Sequence, residues 1–370
     1  MELSKASAKA LSVIFCLTLG GLSLLSVLLP DRDFSEQENR TLQQLPVVSA
    51  EALFSGEYGR EIDRYLSDQF PGRDFFVEVK SRTERATGRR EVNGVYFLKN
   101  GALAERFLPG DLTRAEANAD AVRRFSEAVD VPVTFALIPS AGGVYSEELP
   151  YGAPQTDQRA LTDALYTRYG GSTADLYSAL RARRGEEIYF RTDHHWTPLG
   201  AYYGYCASAE AMGLTPGPAG EFVTFSEGFY GTLCRRAGSY DLSPDRISAP
   251  LLPGVTLRIT EGEETREAPV YDRSFLEKTD KYSLFLGGDH PLAVLSGGVK
   301  NGKKLLLVKD SYADCEAAYF LSNFEEVHLI DLRYYRLPLS DYVAREGISQ
   351  VLVSYGLPSF TTDGNLAFLR

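Results

Sequence analysis

KKLLLVKDSYADCEAAYF, residues Lys303 to Phe320, sets four aliphatic residues in a row and then turns polar at Asp310-Ser311, after which a helical pattern begins almost at once. Such a run, apolar without alternation, is the pattern of a strand buried on both faces. Comparable runs stand at VTFALIPS (133–140), EEVHLIDLR (325–333) and QVLVSYG (350–356). Between or beside them lie the helical stretches TRAEANADAVRRFSEAV (113–129), ADCEAAYFLSN (313–323) and PLSDYVAREG (338–347). Strands alternating with helices predict an α/β fold with a mostly parallel sheet and helices on both faces. Residues 217–302 are Gly- and charge-rich with short strand-like pieces such as VTLRIT and YSLFLGG, and read as a partly antiparallel insertion.

The N-terminal part differs. Leu11 to Leu29 carry no charge, a length sufficient for a helix to cross about 30 Å of hydrocarbon. Lys5 and Lys9 precede this segment, and Asp31, Asp33, Glu36 and Glu38 follow it, so the N-terminus is expected in the cytoplasm and the rest outside. No A-x-A cleavage site is evident, which favours an uncleaved anchor ended by Pro30. Two helices separated by Pro71-Gly72 are predicted over 51–88, followed by a hairpin turning at Asn100-Gly101. The expected organisation is a transmembrane signal anchor (1–30), a juxtamembrane helical segment and hairpin (31–110) and an α/β domain (111–370).

Composition narrows function. With 44% hydrophobic and 24% charged residues the chain is globular, and a net charge of −11 without a dense Lys/Arg run gives nucleic acid no electrostatic reason to bind. The four cysteines, Cys16, Cys206, Cys234 and Cys315, are too scattered for a metal or redox motif; Cys206 and Cys234 read equally as a disulfide or as buried thiols.

The chemistry concentrates in RTDHHWTPLG, Arg191 to Gly200, which holds two of the four histidines and the only tryptophan. EEIYFR (186–191) reads as a strand, and Thr197-Pro198 as a helix start, leaving Asp193, His194 and His195 on the link between them. Alternation along an extended chain puts Asp193 and His195 on one side and His194 and Trp196 on the other. Asp193 would then fix one nitrogen of His195 and leave the other as a base. Its nucleophile would be Ser311, at the carboxyl edge of the sheet where helix-end N–H groups could hold an oxyanion. Ser311 and Asp314 also fit a capping box, His beside Asp fits a structural ion pair, and an Asp-His-His metal site is disfavoured because neighbours on an extended link diverge.

Together these stretches resemble the DHHW family of bacterial proteins, relatives of the alginate O-acetyltransferase proteins within the SGNH-hydrolase superfamily. The resemblance rests on FSEQENRTLQQLP, YLSDQFPGRD, NGVYFLKNGAL, LIPSAGGVYSEELP, RTDHHWTPLGAYYGY, GFYGTL, FLGGDHP, LLLVKDSYAD and DLRYY. It implies a three-layer flavodoxin-like fold, no cofactor, and an Asp193, His195, Ser311 triad transferring or removing acyl groups, usually acetyl, on a cell-envelope or polysaccharide glycan. A transferase outside the membrane would need a membrane-bound acyl-carrying partner. For the oxyanion hole or substrate it points to the Ser311 N–H, Gly288, Arg333, Tyr230 and Tyr355. The superfamily's Gly and Asn blocks are not recognisable by motif, which motivates the alternative of a non-catalytic glycan-binding or scaffold protein.

Overall fold

The computed structural model describes residues 5–35 and 40–370, and Glu36 and Glu38 of the expected acidic flank lie outside them. The chain forms two compact units, residues 1–88 and 89–370.

The first unit begins with the helix Lys5–Leu28, of which Ser7–Leu28 is long and apolar enough to cross a membrane. Three shorter helices follow, Ala50–Phe54, Glu57–Asp68 and Arg73–Ala86. The predicted break falls at Gly72 (φ +69°); a second break, not anticipated, falls at Gly56 (φ +71°), where left-handed backbone interrupts the helical ladder.

The second unit opens with a three-stranded antiparallel meander, Glu91–Val92, Val95–Phe97 and Leu103–Glu105. Its first turn is Asn93-Gly94, both with positive φ (51° and 74°), the two-residue geometry that matches strand twist. The strands on either side of the predicted turn Asn100-Gly101, Val95–Phe97 and Leu103–Glu105, pair antiparallel within this second unit.

The main sheet has eight strands. In spatial order they are Glu264–Ala268, Thr256–Glu261, Leu292–Ser296, Glu326–Ile330, Lys304–Lys309, Gln350–Gly356, Val133–Ile138 and Ser172–Ala174. The last five run parallel, and the first three join antiparallel, so the insertion extends the sheet edge. A further antiparallel pair, Phe222–Phe229 with Asp245–Pro250, stands apart from it.

The aliphatic run does what its pattern predicts. Leu305, Leu306, Leu307 and Val308 are all fully buried, Leu305 and Leu307 in one core cluster and Leu306 and Val308 in another. Each such side chain contributes about 1.5–3 kcal/mol by leaving water. The first cluster takes in Tyr205 and Ala209 of helix Pro198–Ala211; the second takes in Val122 and Phe125 of helix Thr113–Ala128. From Lys304–Lys309 the chain passes to the neighbour on one side, Glu326–Ile330, and then to the neighbour on the other, Gln350–Gly356. Where the connections from adjacent strands, here Lys304–Lys309 and Glu326–Ile330, run in opposite directions, a crevice opens at their carboxyl ends, and Ser311 follows the first of these ends.

Two local expectations fail. EEIYFR forms only an isolated bridge, Tyr189 to Trp196, instead of a strand. ADCEAAYFLSN forms two 3₁₀ turns, Ser311–Asp314 and Ala317–Ser322, instead of an α-helix. The Ser311 and Tyr312 carbonyls accept from the Tyr282 hydroxyl (3.0 and 3.4 Å), and Tyr312 also from Trp196 Nε1 (2.8 Å), in competition with an α-helical ladder.

Candidate active site

Ser311 is the first residue of its 3₁₀ turn, and the cap of that turn is Asp310, not Ser311. Asp310 Oδ1 accepts from Tyr312 N (3.1 Å) and Oδ2 from Gly356 N (2.9 Å), tying the turn to the next strand. Asp314, the would-be capping-box partner of Ser311, instead meets Lys309 Nζ at 2.6 Å. The serine hydroxyl is thereby released from structural duty. Its N–H, at the first position of the turn, has no acceptor within that turn.

The second half of the site is a bent loop held from several directions. Asp245 accepts from Arg191 N and Thr192 N, both at 2.8 Å, and from the Thr192 hydroxyl. Asp193 Oδ1 then accepts from His195 N (3.0 Å), an Asx turn that bends residues 193–195. Trp196, fully buried, reaches the Ser311 turn through its bond to the Tyr312 carbonyl. Thr197 caps the helix Pro198–Ala211, accepting from Gly200 N at 3.2 Å, as predicted. The crowding in this decapeptide is explained by connectivity: Asp193 and His194 fasten the loop to Thr232, His195 to Ser311, Trp196 to the Tyr312 carbonyl and Thr197 to the Glu187 carbonyl.

His195 Nε2 lies 2.8 Å from Ser311 Oγ, and His195 Nδ1 lies 2.6 Å from Asp193 Oδ1. Both are within the reach required of a nucleophile, a base and its orienting acid. Tyr282 stacks flat on the His195 ring (centroids 3.8 Å, 3° between planes), and His194 covers its other surroundings at 3.8 Å. Asp193 is buried and receives four donors: His195 N, His195 Nδ1, Thr232 N (2.6 Å) and Thr232 Oγ1 (2.9 Å). Burial alone would raise its pKa; the two imidazoles and the Thr232 N–H outweigh it and hold the carboxyl well below the usual carboxylate range. Burial, then His195 and the nearby arginines, push His194 down to about 3, so it is neutral at pH 7.

The bend also corrects the alternation. Asp193 and His195 meet as predicted, but His194 does not turn away with Trp196; the donor atoms of Asp193, His194 and His195 lie within 4.8 Å of one another. Four donors occupy the roughly four lone-pair sites of the Asp193 carboxylate, which leaves none directed at a metal ion.

A cavity of about 500 Å³ lies beside this loop, with Glu105, His194, Thr232, Arg236, Tyr312 and Thr361 on its wall; His195 and Ser311 are next to wall residues but do not line it. Burial pushes the Glu105 carboxyl up, against the pull of Arg236 at 3.8 Å.

The other anticipated residues are engaged elsewhere. Gly288 N–H donates to the Phe285 carbonyl, so it is not available to an oxyanion. Arg333 is bound to Asp289 at 2.7 Å and to Asp331, a structural pairing. The Tyr230 hydroxyl donates to the Leu242 carbonyl (3.1 Å). Tyr355 is buried in the core cluster of the sheet face that carries Phe360, and its hydroxyl has no partner among the described residues. The four cysteines are all free, so Cys206 and Cys234 do not pair. Thr232, Tyr282 and Asp245 were not singled out from the sequence. Thr232 sits in GFYGTL, where Gly231 gives a signal: a Cβ there would stand 2.2 Å from that of Asp193. Tyr282 and Asp245 have no local signature.

Residues 155–330 match the family of DHHW proteins. The chain is similar to DHHW proteins over just under half of its length. A DHHW family protein from Eubacterium siraeum, known from its crystal structure, is 28% identical, with a TM-score of 0.63 over 75% of this chain and 95% of that one. Bacillus cereus PatB1, solved with a sulfonyl adduct, shares the fold at 18% identity, with a TM-score of 0.60 over 74% of this chain and 97% of that one. The probable alginate O-acetylase AlgJ of Pseudomonas aeruginosa is 27% identical over 178 residues. That alignment spans 44% of this chain and 44% of AlgJ, less than half of either.

Proposed function

We propose that this protein is an extracytoplasmic O-acyltransferase or esterase, anchored by its N-terminal helix, that handles acetyl groups on a cell-envelope or exopolysaccharide glycan. The observation that carries this reading is the continuous relay Asp193 Oδ1, His195 Nδ1, His195 Nε2, Ser311 Oγ, with separations of 2.6 and 2.8 Å at its two hydrogen bonds. The similarity to AlgJ supports the choice of group and of a glycan acceptor. We infer with it a three-layer flavodoxin-like arrangement of the SGNH-hydrolase type, and a membrane-bound partner that supplies the acyl group.

Ser311 Oγ attacks the acyl carbonyl as His195 Nε2 takes its proton, and the charge on the imidazolium is balanced by Asp193. The Ser311 N–H, without an acceptor in its own turn, is the donor we assign to the developing oxyanion. The leaving group departs with the proton from His195. An acceptor hydroxyl, or water, then attacks the acyl-serine; its proton passes to His195, the carbonyl carbon to Oγ bond breaks, and Oγ recovers the proton. His195 is braced for both steps by the flat Tyr282 ring, whose hydroxyl holds the Ser311 carbonyl at 3.0 Å.

The test is release of 4-nitrophenol from 4-nitrophenyl acetate by the full chain in detergent. Ser311→Ala is expected to lower kcat by about 10⁶-fold. Equal rates for wild type and Ser311→Ala would exclude serine catalysis.

A further inference from the structure

The catalytic relay leaves one neighbouring group unused. His194 Nδ1 lies 2.6 Å from Thr232 Oγ1, and the same hydroxyl lies 2.9 Å from Asp193 Oδ2. A hydroxyl has one proton. Asp193 is an ionised carboxylate that can only accept, so the Thr232 proton must point to it. Thr232 Oγ1 is then the acceptor for His194, which fixes the proton of His194 on Nδ1. Nε2 of the same ring is consequently a bare lone pair. With the Nδ1 edge turned to Thr232 and Asp193, the opposite edge is the one left for the cavity, whose wall His194 forms with a side chain 29% exposed. The ring is also neutral over the working pH range, its protonation lying down at about 3.

We propose that His194 Nε2 accepts a hydrogen bond from a second hydroxyl of the acceptor, adjacent to the hydroxyl that attacks acyl-Ser311, so that the site selects acceptors bearing two neighbouring hydroxyl groups. This rests on the acyltransferase reading above and specifies its acceptor. His194 and His195 stand with ring centroids 3.8 Å apart, so one sugar ring can present one hydroxyl to each. A lone-pair acceptor discriminates here because an acceptor without the second hydroxyl leaves Nε2 and its ordered surroundings unpaired. Water has no second hydroxyl group tethered to the first, so His194 favours transfer over hydrolysis. The bond orders the acceptor and takes no part in proton transfer, which remains with His195.

The experiment uses the full chain in detergent, 4-nitrophenyl acetate as donor, and trans-1,2-cyclohexanediol or cyclohexanol as acceptor, with the acetylated alcohol and free acetate both quantified. His194→Asn is the informative variant, since its amide can still donate to Thr232 from the Nδ1 position but has no atom at Nε2. Wild type is expected to acetylate the diol at least tenfold faster than the mono-alcohol. In His194→Asn that preference should vanish, and the ratio of transfer to hydrolysis should fall about tenfold. A merely structural role would depress transfer and hydrolysis in proportion, leaving ratio and preference unchanged, and that result would overturn the proposal. Labelling by phenylmethanesulfonyl fluoride separates the two layers of argument. If wild type is labelled at Ser311 yet shows no diol preference, the acceptor assignment fails alone; if it is neither labelled nor active, the triad fails and the assignment falls with it.

Discussion

Two buried polar clusters flank Ser311, and they are built on opposite rules. On one side Lys309 Nζ meets Asp314 (2.6 Å), Asp289 (2.7 Å) and, more distantly, Asp331 (3.8 Å), while Arg333 bridges Asp289 and Asp331. Two cations face three carboxylates; burial and the like charges of Asp289 and Asp331 push Asp314 well up, against the pull of Lys309. Every group there is matched by another group of the chain. On the other side Asp193, Thr232, His195 and Ser311 form a directional series in which each donor has one acceptor; it ends at an alcohol, and Thr232 with the neighbouring His194 lines a cavity. A closed cluster stabilises a corner of the sheet; an open series has a valence left for a substrate. Burial and charge alone would not distinguish them, since Lys309 and Asp193 are equally inaccessible.

The comparison breaks most sharply at Asp193. In Asp193→Asn the amide can present N–H toward His195 Nδ1, which reverses the tautomer and places a proton on Nε2 where a lone pair is needed. The expected loss in kcat is about 10⁴-fold with the fold retained. Aryl acetate turnover alongside thermal unfolding checks both halves, and activity within tenfold of wild type would show that the series is not directional in the sense argued.

At Lys309 the prediction inverts. Lys309→Met removes the hub and leaves three buried carboxylates with Arg333 as their cation. Urea unfolding is expected to show a loss of about 3–5 kcal/mol, the cost of breaking a buried ion pair from one side. Turnover per folded molecule should fall far less than in Asp193→Asn. A variant as stable as wild type would mean that this cluster is no keystone.

How much of this was legible in the sequence follows from the range of each interaction. Leu305–Val308 announced a doubly buried strand because burial on both faces removes the alternation, a property of a few adjacent residues. Asp193 and His195 were legible for the same reason: a two-residue spacing suffices for their contact, even though an Asx turn and not an extended strand delivers it. Ser311 was legible through its place after an apolar run. The brace on His195 was not, because Tyr282 is 87 positions away and its role is set by a ring stack that no local pattern encodes. Gly288 and Arg333 misled because a glycine-rich turn and an arginine after a strand look alike whether their N–H groups are free or, as here, already bonded. The 3₁₀ turns replaced the expected helix for a similarly long-range reason, Trp196 and Tyr282 claiming carbonyls that a local reading gives to the helix.

Glu316 supplies a third case between the two clusters and the smallest of the effects. It is fully buried beneath strand Gln350–Gly356, one carboxyl oxygen 3.3 Å from the Ser354 hydroxyl and the other without a partner among the described residues. It has neither a cation, as Asp289 has, nor a set of N–H donors, as Asp193 has. Burial, with Asp310 nearby, pushes it up to about 8, so the folded chain carries it as the neutral acid at pH 7. Unfolded, the same group ionises near the ordinary glutamate value. Between the two values the folded state holds one proton more, so stability falls as pH rises, at a limiting slope of about 1.4 kcal/mol per pH unit. Glu316→Gln keeps the shape and cannot ionise. Unfolding free energies from urea titrations should therefore decline between pH 5 and pH 8 more in wild type than in Glu316→Gln, by about 2 kcal/mol once local relaxation reduces the full slope. Parallel declines would mean that the carboxylate is accommodated in the fold, and that a proton is not what takes the place of a counter-charge there.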